Sequence, residues 1–191
     1  MQELLKANIP IDASKAASIL RNRKGVGGAE LGLANEMAIN QFIAHHSVIF
    51  QPEKKLMWVS TSPWQCGKYV AYDLNRIFSD SIDFNHEIYT GDLTLPADSF
   101  LQQQEYQQLM AYKRLAPVLR KQIKKKERLD EQTLHAFQHA NPHFFYVYEL
   151  LGDYYHATGQ QDKALRNWKK ALLLPIPKRS ESERIEHKIN N

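Results

Sequence analysis

The only cysteine of this chain, Cys66, is the first residue whose chemistry could be catalytic. It lies in a loop bounded by Pro63 and Gly67, and a thiolate there could use His45 or His46 as its base. A mid-chain cysteine with scattered histidines is more often a loop thiol than a nucleophile, so we assign no catalytic residue. A single cysteine also excludes an internal disulfide and a cysteine-based metal cluster.

The adjacent histidines His45 and His46 could also be metal ligands. They fall within a predicted strand, where neighbouring side chains point to opposite faces of the sheet. A zinc site needs three or four convergent ligands, which this pair does not offer. We therefore expect one imidazole to point inward and one outward, and we assign no metal-binding or cofactor-binding residue.

A basic segment between Lys113 and Arg128 holds eight Lys or Arg residues and one Glu, in a chain whose net charge is +4. Its densest part, residues 121–128, could bind nucleic acid or anionic lipid. The alternative is a solvated helix face whose cations suit the negative end of the helix dipole. No aromatic RNA-binding signature accompanies the segment, so no nucleic-acid partner is expected.

The overall composition is that of an ordinary globular protein, with 43% hydrophobic and 24% charged residues. The length of 191 residues allows one domain or two small ones. No apolar run approaches the roughly 18 residues of a membrane span, and the first residues contain no apolar signal core. The compartment is therefore left as unknown, with cytoplasmic as the default expectation.

The first half of the chain predicts a helix followed by a β-meander. A helix is expected over residues 11–24, capped by Asp12 or Ser14. Gly25, Gly27 and Gly28 lack the Lys-Ser or Lys-Thr pair of a phosphate loop, so we expect them to end this helix. Strands are expected over residues 38–50, 56–62 and 68–74, and such a small sheet is only marginally stable alone.

The second half of the chain predicts helices only. A long helix should start near Asp98 or Ser99 and run toward Lys126, with a kink or break just before Pro117. A second helix should cover residues 131–140 and end at Asn141-Pro142. The spacing of Ser180 and Glu183 predicts a capping box and a last polar helix to about residue 188.

Residues 145–178 carry a regularly spaced set of aromatic, small and proline residues. The set is Tyr148, Leu151, Gly152, Tyr155, Ala164, Trp168, Ala171, Pro175 and Pro177. It resembles a tetratricopeptide repeat, with Tyr148 at the usual Trp position and Trp168 at the usual Phe position. The resemblance implies a helical hairpin in which Gly152 faces the second helix. Such a hairpin cannot bury its apolar face alone, so its core must be completed elsewhere.

The tetratricopeptide resemblance also implies a concave binding side made by the first helices of the array. We therefore predict a peptide or protein partner there, contacting the residues from Tyr146 to Tyr154. Tyr146 and Tyr154 are the two candidate partner-binding residues.

A second resemblance lies in the strand region. The matching elements are residues 35–40, His45-His46-Ser47-Val48, Phe50-Gln51-Pro52, Met57-Trp58-Val59, Gly67-Lys68-Tyr69-Val70 and Tyr72-Asp73-Leu74, with Leu20-Arg21 before them. Together they cover about residues 12–78. They resemble the C-terminal part of the cysteine-type N-terminal-nucleophile hydrolases, of the penicillin acyltransferase, carcinine hydrolase and choloylglycine hydrolase-like group.

That hydrolase resemblance implies cleavage or transfer at a linear amide by a cysteine at the start of a mature chain, which also supplies its amino group as the base. The nucleophile and its supporting residues lie upstream of the matching part in that family. We therefore expect this chain to be inactive alone and to require a missing N-terminal catalytic segment or another protein chain as its partner.

The sequence thus predicts an α+β fold with two parts. Residues 1–96 should form the C-terminal segment of an N-terminal-nucleophile-hydrolase-like domain, as an antiparallel β-meander with a flanking helix. Residues 97–191 should form an antiparallel, tetratricopeptide-like helical array. Two functions remain open at this point: the C-terminal portion of a linear-amide hydrolase or acyltransferase, and a protein-interaction module.

Overall fold

Three short strands and eight α-helices form the regular structure of residues 1–79 and 87–191, which are the residues described by a computed structural model. The predicted α+β class is confirmed. The chain divides into two compact units. The sheet unit contains residues 1–26 and 38–101, and the helical unit contains residues 27–37 and 102–191. None of the described helices is long and apolar enough to cross a membrane.

The sheet is an antiparallel meander of β1 (Val48–Gln51), β2 (Leu56–Ser60) and β3 (Tyr69–Asp73), in that spatial order. A one-turn 3-10 helix, Pro52–Lys54, joins the first two strands, and Lys55 completes the reversal with a φ of 52°. The register places Val48 opposite Val59, and Val59 opposite Val70. The predicted second and third strands therefore lie where the sequence indicated.

The predicted strand over residues 38–50 is wrong for most of its length, because only Val48–Gln51 is extended into the sheet. Asn40 is the physical reason. Its side chain is fully buried, and its Oδ1 accepts a hydrogen bond from the backbone N–H of Phe42 at 3.0 Å. The backbone N–H of Asn40 donates to the carbonyl of Asn22 at 2.8 Å. Such local and long-range hydrogen bonds compete with a sheet ladder.

The helices of the sheet unit are α1 (Gln2–Ala7), α2 (Ala13–Leu20) and α3 (Leu74–Ile77). The predicted N-cap of α2 is correct, since Asp12 accepts a hydrogen bond from the N–H of Lys15 at 2.8 Å. The helix nevertheless ends at Leu20, before the predicted end at residue 24. The glycines therefore do not end this helix. Gly27 and Gly28 instead belong to a separate 3-10 turn, Val26–Gly28, in which Gly27 has a φ of 64°.

The core of the sheet unit lies between α2 and one face of the sheet. Ala17 of α2 is buried with Ile49, Trp58, Tyr69 and Ala71 from the three strands. Hydrogen bonds also join the outer edge of β3 to the following chain segment at Thr90 and Leu95. These contacts cover one face of the sheet and the β3 edge.

The helical unit contains α4 (Gln104–Lys125), α5 (Glu131–Ala140), α6 (Phe145–Ala157), α7 (Gln161–Leu172) and α8 (Arg179–Asn190). The bounds of α5 agree with the prediction. Of the kink or break expected before Pro117, the break is absent, since α4 continues through the proline with Tyr112, Ala116 and Leu119 buried on both sides of it. The predicted capping box is wrong, since Ser180 lies inside the first turn of α8 and Lys178 is the N-cap residue.

The hairpin of α6 and α7 corresponds to the repeat-like segment. Gly159, with a φ of 79°, lies in the turn between the two helices. Gly152 packs directly against the indole of Trp168, as the small residue at this position predicts. Ala164, Trp168 and Ala171 of α7 are buried.

Residues 27–37 pack with the helices, although the sequence division placed them in the first part. The side chain of Asn141 holds this segment by accepting from the N–H of Leu33 at 2.9 Å and donating to its carbonyl at 2.7 Å. Asn35 donates to the carbonyl of Pro175 at 3.0 Å. These bonds join residues more than a hundred positions apart, which sequence periodicity does not reveal.

Candidate partner-binding cleft of the helical unit

The Cys66 thiol is fully buried in the sheet unit. The Asn40 amide donates to its sulfur at 3.4 Å. Burial raises the pKa of Cys66, and the nearby Asp98 carboxylate raises it further. A buried, protonated thiol is a poor nucleophile, so the geometry favours the loop-thiol interpretation.

His45 and His46 do not lie on a strand. Both side chains are exposed in the irregular segment that precedes β1, so the expectation of one inward and one outward imidazole is wrong. In the part of the chain that the structure describes, no three His, Cys, Asp or Glu side chains converge as metal ligands would.

Arg21 and Arg23 line a polar cleft of about 510 Å³ in the sheet unit. Arg21 donates to the carbonyls of Gln65, Gly67 and Pro96 at 3.2, 2.8 and 2.8 Å. Arg23 forms an ion pair with Asp98 at 2.6 Å. Both guanidinium groups are therefore engaged in holding the loops of this unit together, and we assign them no ligand.

A second cleft, of about 520 Å³, lies between α4 and α6 in the helical unit. Its wall combines apolar and charged side chains from one face of each helix. They are Pro117, Arg120, Lys121, Ile123 and Lys124 from α4, and Tyr146, Leu150 and Asp153 from α6. The volume is in the range of sites that enclose part of a ligand or a few side chains of a peptide.

The apolar part of this cleft includes the predicted partner-binding residue Tyr146. Its ring is half-buried, and it packs near Phe144 and Phe145 with ring centroids 6.2 and 6.3 Å apart. Leu150, one turn further along α6, is 4% exposed and contributes to the same wall. Tyr146 therefore presents an aromatic surface that neighbouring rings hold in place.

Tyr154, the other predicted partner-binding residue, does not line the cleft. Its side chain is 1% exposed, and its hydroxyl accepts a hydrogen bond from the N–H of Leu129 at 2.7 Å. It packs against Tyr155 within the unit. The prediction that Tyr154 contacts a partner is therefore wrong, because its ring belongs to the core of the unit.

The charged side chains of the cleft carry an excess of positive charge. Arg120, Lys121 and Lys124 are exposed, and none of them forms an ion pair within residues 1–79 and 87–191. The one carboxylate of the cleft, Asp153, is already paired with Lys188 of α8 at 2.8 Å. The cleft therefore keeps the positive charge of α4, for which the sequence offered a solvated helix face or a binding site for nucleic acid or anionic lipid.

A buried ion-pair network fixes α8 against α6 beside the cleft. Glu149 is 2% exposed, accepts two hydrogen bonds from Arg184 at 2.8 Å each, and accepts one from Lys188 at 2.7 Å. Burial alone would raise the pKa of Glu149, but the hydrogen bonds from Arg184 and Lys188 outweigh it and lower the pKa. The carboxylate is therefore ionised at neutral pH and holds α8 in place.

No protein-family model, curated protein or solved structure matches this chain. The resemblances to tetratricopeptide repeats and to amide hydrolases therefore stay predictions from the sequence.

Proposed function

We propose that the helical unit is a protein-interaction module that binds a segment of a partner protein in the cleft between α4 and α6. The observation that carries the proposal is the open cleft, with Tyr146 half-buried in its wall beside Leu150. Aromatic side chains in such positions contribute a large share of the binding energy in protein interfaces, because they bury much apolar area with few rotatable bonds.

The scaffold around the cleft supports this function. The wall residues come from two helices that pack on each other, and the ion pairs of Glu149 fix a third helix beside them. A preformed site loses less conformational entropy on binding than a mobile one. The tetratricopeptide resemblance of residues 145–178 agrees with a binding role for the first helix of the hairpin.

A displayed library of random short peptides tests the proposal. Peptides selected on the whole chain are expected to bind the Tyr146→Ala variant at least about tenfold more weakly, since losing an aromatic hot spot costs about 2 kcal/mol. The control is Leu173→Ala, which removes a side chain that is 85% exposed and outside the cleft. Failure to select any binder, or equal loss in both variants, would contradict the proposal.

A second candidate function concerns the sheet unit: a C-terminal portion of a linear-amide hydrolase or acyltransferase. The observation that favours it is an apolar sheet face that the described residues leave partly exposed. The register aligns two rows across the strands, Val48, Val59 and Val70 in one and Phe50, Met57 and Tyr72 in the other. Val48 and Phe50 are 50% and 54% exposed. A sheet with one packed and one partly exposed apolar face fits the closing part of a larger layered domain.

The free edge of β1 supports the same interpretation. Ser60 donates to the carbonyl of Ser47, and hydrogen-bonded pairs alternate along an antiparallel ladder. The backbone groups of Val48 and Phe50 therefore point away from β2, and no strand of the described residues pairs with them. An open apolar edge of this kind favours pairing with another strand.

The reading frame before the first codon tests the hydrolase candidate. An upstream segment with a cysteine-led strand and an arginine, which gives turnover of N-acyl amines when co-expressed with this chain, would support it. A co-expressed upstream product that neither binds this chain nor yields turnover would contradict it.

A further inference from the structure

We propose that the partner of the α4–α6 cleft is an acidic peptide segment that carries one bulky apolar side chain. This inference rests on the proposed interaction function and names the chemistry of the partner. Its two parts follow from the two kinds of side chain in the cleft wall, which are the cations of α4 and the apolar surface of Tyr146 and Ile123.

The charge of the partner follows from the pairing of the cleft residues. Asp153 is neutralised by Lys188, so it does not balance the cations of α4. Arg120, Lys121 and Lys124 remain without a carboxylate partner in the described parts of the chain. A basic partner would add repulsion, and a neutral partner would gain no attraction from these exposed cations. Carboxylates in the bound segment would form ion pairs with Arg120, Lys121 and Lys124.

The spacing of the cleft residues on α4 sets the length of the peptide segment that the cleft can recognise. Pro117, Arg120, Lys121 and Lys124 follow the i, i+3, i+4, i+7 pattern and share one face of α4. Seven positions of a helix extend over about 10 Å, which is the length of about three residues of an extended peptide. The acidic residues of the partner should therefore lie within about three positions of the apolar one.

The apolar part of the cleft wall favours a peptide over a polyanion as the ligand of the cleft. Nucleic acid and anionic lipid would be attracted by the charge of α4 alone, and their binding would fall steeply with salt. Anionic lipid would not need the surface of Tyr146 and Ile123. Single-stranded nucleic acid could stack a base on Tyr146 but would still bind chiefly through the charge of α4. A phenylalanine or leucine side chain of a peptide buries the surface of Tyr146 and Ile123 and adds a contribution that salt does not screen.

The proposed chemistry of the partner is tested with three fluorescein-labelled peptides, whose binding to the whole chain is measured by fluorescence anisotropy. The first has one phenylalanine flanked by aspartates and glutamates. The second replaces the phenylalanine with serine, and the third replaces the acids with their amides. We expect the first peptide to bind. The second and third should each bind at least about tenfold more weakly, because the second lacks the aromatic anchor and the third lacks the negative charges.

Matched charge reversals locate the site. Lys121→Glu with Lys124→Glu should weaken binding of the first peptide at least about tenfold, since attraction becomes repulsion. Arg166→Glu with Lys169→Glu changes the net charge equally on exposed positions of α7 that do not line the cleft, and should change the affinity less than about threefold. Circular dichroism melts of both variants verify that they are folded.

The outcomes separate this inference from the proposed function. If selected neutral peptides depend on Tyr146 but the acidic peptide binds no better than its amide form, the partner chemistry is wrong and the interaction function stands. If oligothymidine or phosphatidylserine vesicles bind as tightly as the acidic peptide, whether or not Tyr146→Ala weakens that binding, the cleft is a polyanion site and this inference fails. If no peptide of any composition binds, both fail.

Discussion

Gly152 of α6 and the indole ring of Trp168 on α7 pack so closely that a Cβ atom at position 152 would overlap the ring. The indole Nε1 also donates to Asp153 at 3.0 Å, so a hydrogen bond holds the ring over the glycine. This contact lies between the two helices of the hairpin that resembles a tetratricopeptide repeat. The small residue at position 152 is therefore required by the helix crossing.

Gly152→Leu should destabilise the protein by about 1–3 kcal/mol, because the added side chain overpacks the contact with Trp168. The matched control is Gly91→Leu, where an added Cβ meets nothing closer than 3.9 Å. Thermal melts followed by circular dichroism measure both. Equal midpoints for the two variants would show that the close crossing is absent.

Trp168→Ala should cost about 3–5 kcal/mol, because the side chain is 2% exposed and its removal leaves a cavity. Trp168→Phe keeps much of the bulk and loses the hydrogen bond to Asp153, so it should cost less than the alanine variant. Urea unfolding of the three proteins gives the comparison. An unchanged midpoint in Trp168→Ala would mean that the repeat-like pattern is accidental.

Local signals explain which elements the sequence predicted. The bounds of α5 follow from Asp130, which caps the helix through the N–H of Thr133 at 2.7 Å, and from the Asn141-Pro142 stop. The strands β2 and β3 follow from alternating apolar residues. Elements controlled by distant partners were predicted less well, such as the segment around Asn40 and the end of α2, where Arg21 leaves the helix and bonds carbonyls far along the chain.

The cleft could be predicted only in part. Tyr146 was named as a partner-binding residue, but the burial of Tyr154 depends on its bond to Leu129 and on how α6 packs. The basic residues of α4 were interpreted as a solvated face, although the spacing of Arg120, Lys121 and Lys124 already placed them on one side of a helix. Which side faces a neighbouring helix is decided by packing, and the sequence does not state it.

Glu149→Gln should lower the free energy of unfolding at neutral pH by about 1–3 kcal/mol, since it removes a buried charge that accepts hydrogen bonds from Arg184 and Lys188. The folded protein lowers the pKa of Glu149 below its ordinary value of 4.5. The stabilisation is therefore present above about pH 4.5 and is lost as the pH falls through the folded pKa. Urea unfolding across this range should show the variant and the wild type converging in acid, and a difference that persists or grows there would contradict the role of the network.

Val48→Thr with Phe50→Thr should reduce binding of a hydrophobic dye and any self-association of the whole chain. Both residues are about half exposed on the second face of the sheet, and threonine retains the strand preference while adding a hydroxyl. Val26→Thr, at a site 85% exposed elsewhere in the sheet unit, is the control. Dye fluorescence and light scattering measure the effect, and a dye-silent, monomeric wild type would refute the idea of a docking face.

The Cys66 thiol should not support catalysis. Its burial and raised pKa keep it protonated, so the purified chain should release no amine from N-acyl amines or β-lactams through this residue. Turnover that is present in the wild type and lost in Cys66→Ala would overturn this assignment and the loop-thiol interpretation.

Chemical-shift mapping of the whole chain tests the interaction function most directly. A ¹⁵N-labelled protein is titrated with the tightest peptide from the library, and the amide shifts are followed. We expect the largest changes to fall on α4 around Lys121 and Lys124 and on α6 around Tyr146 and Leu150. Changes confined to α7 or to the sheet unit, with the cleft residues unmoved, would contradict it.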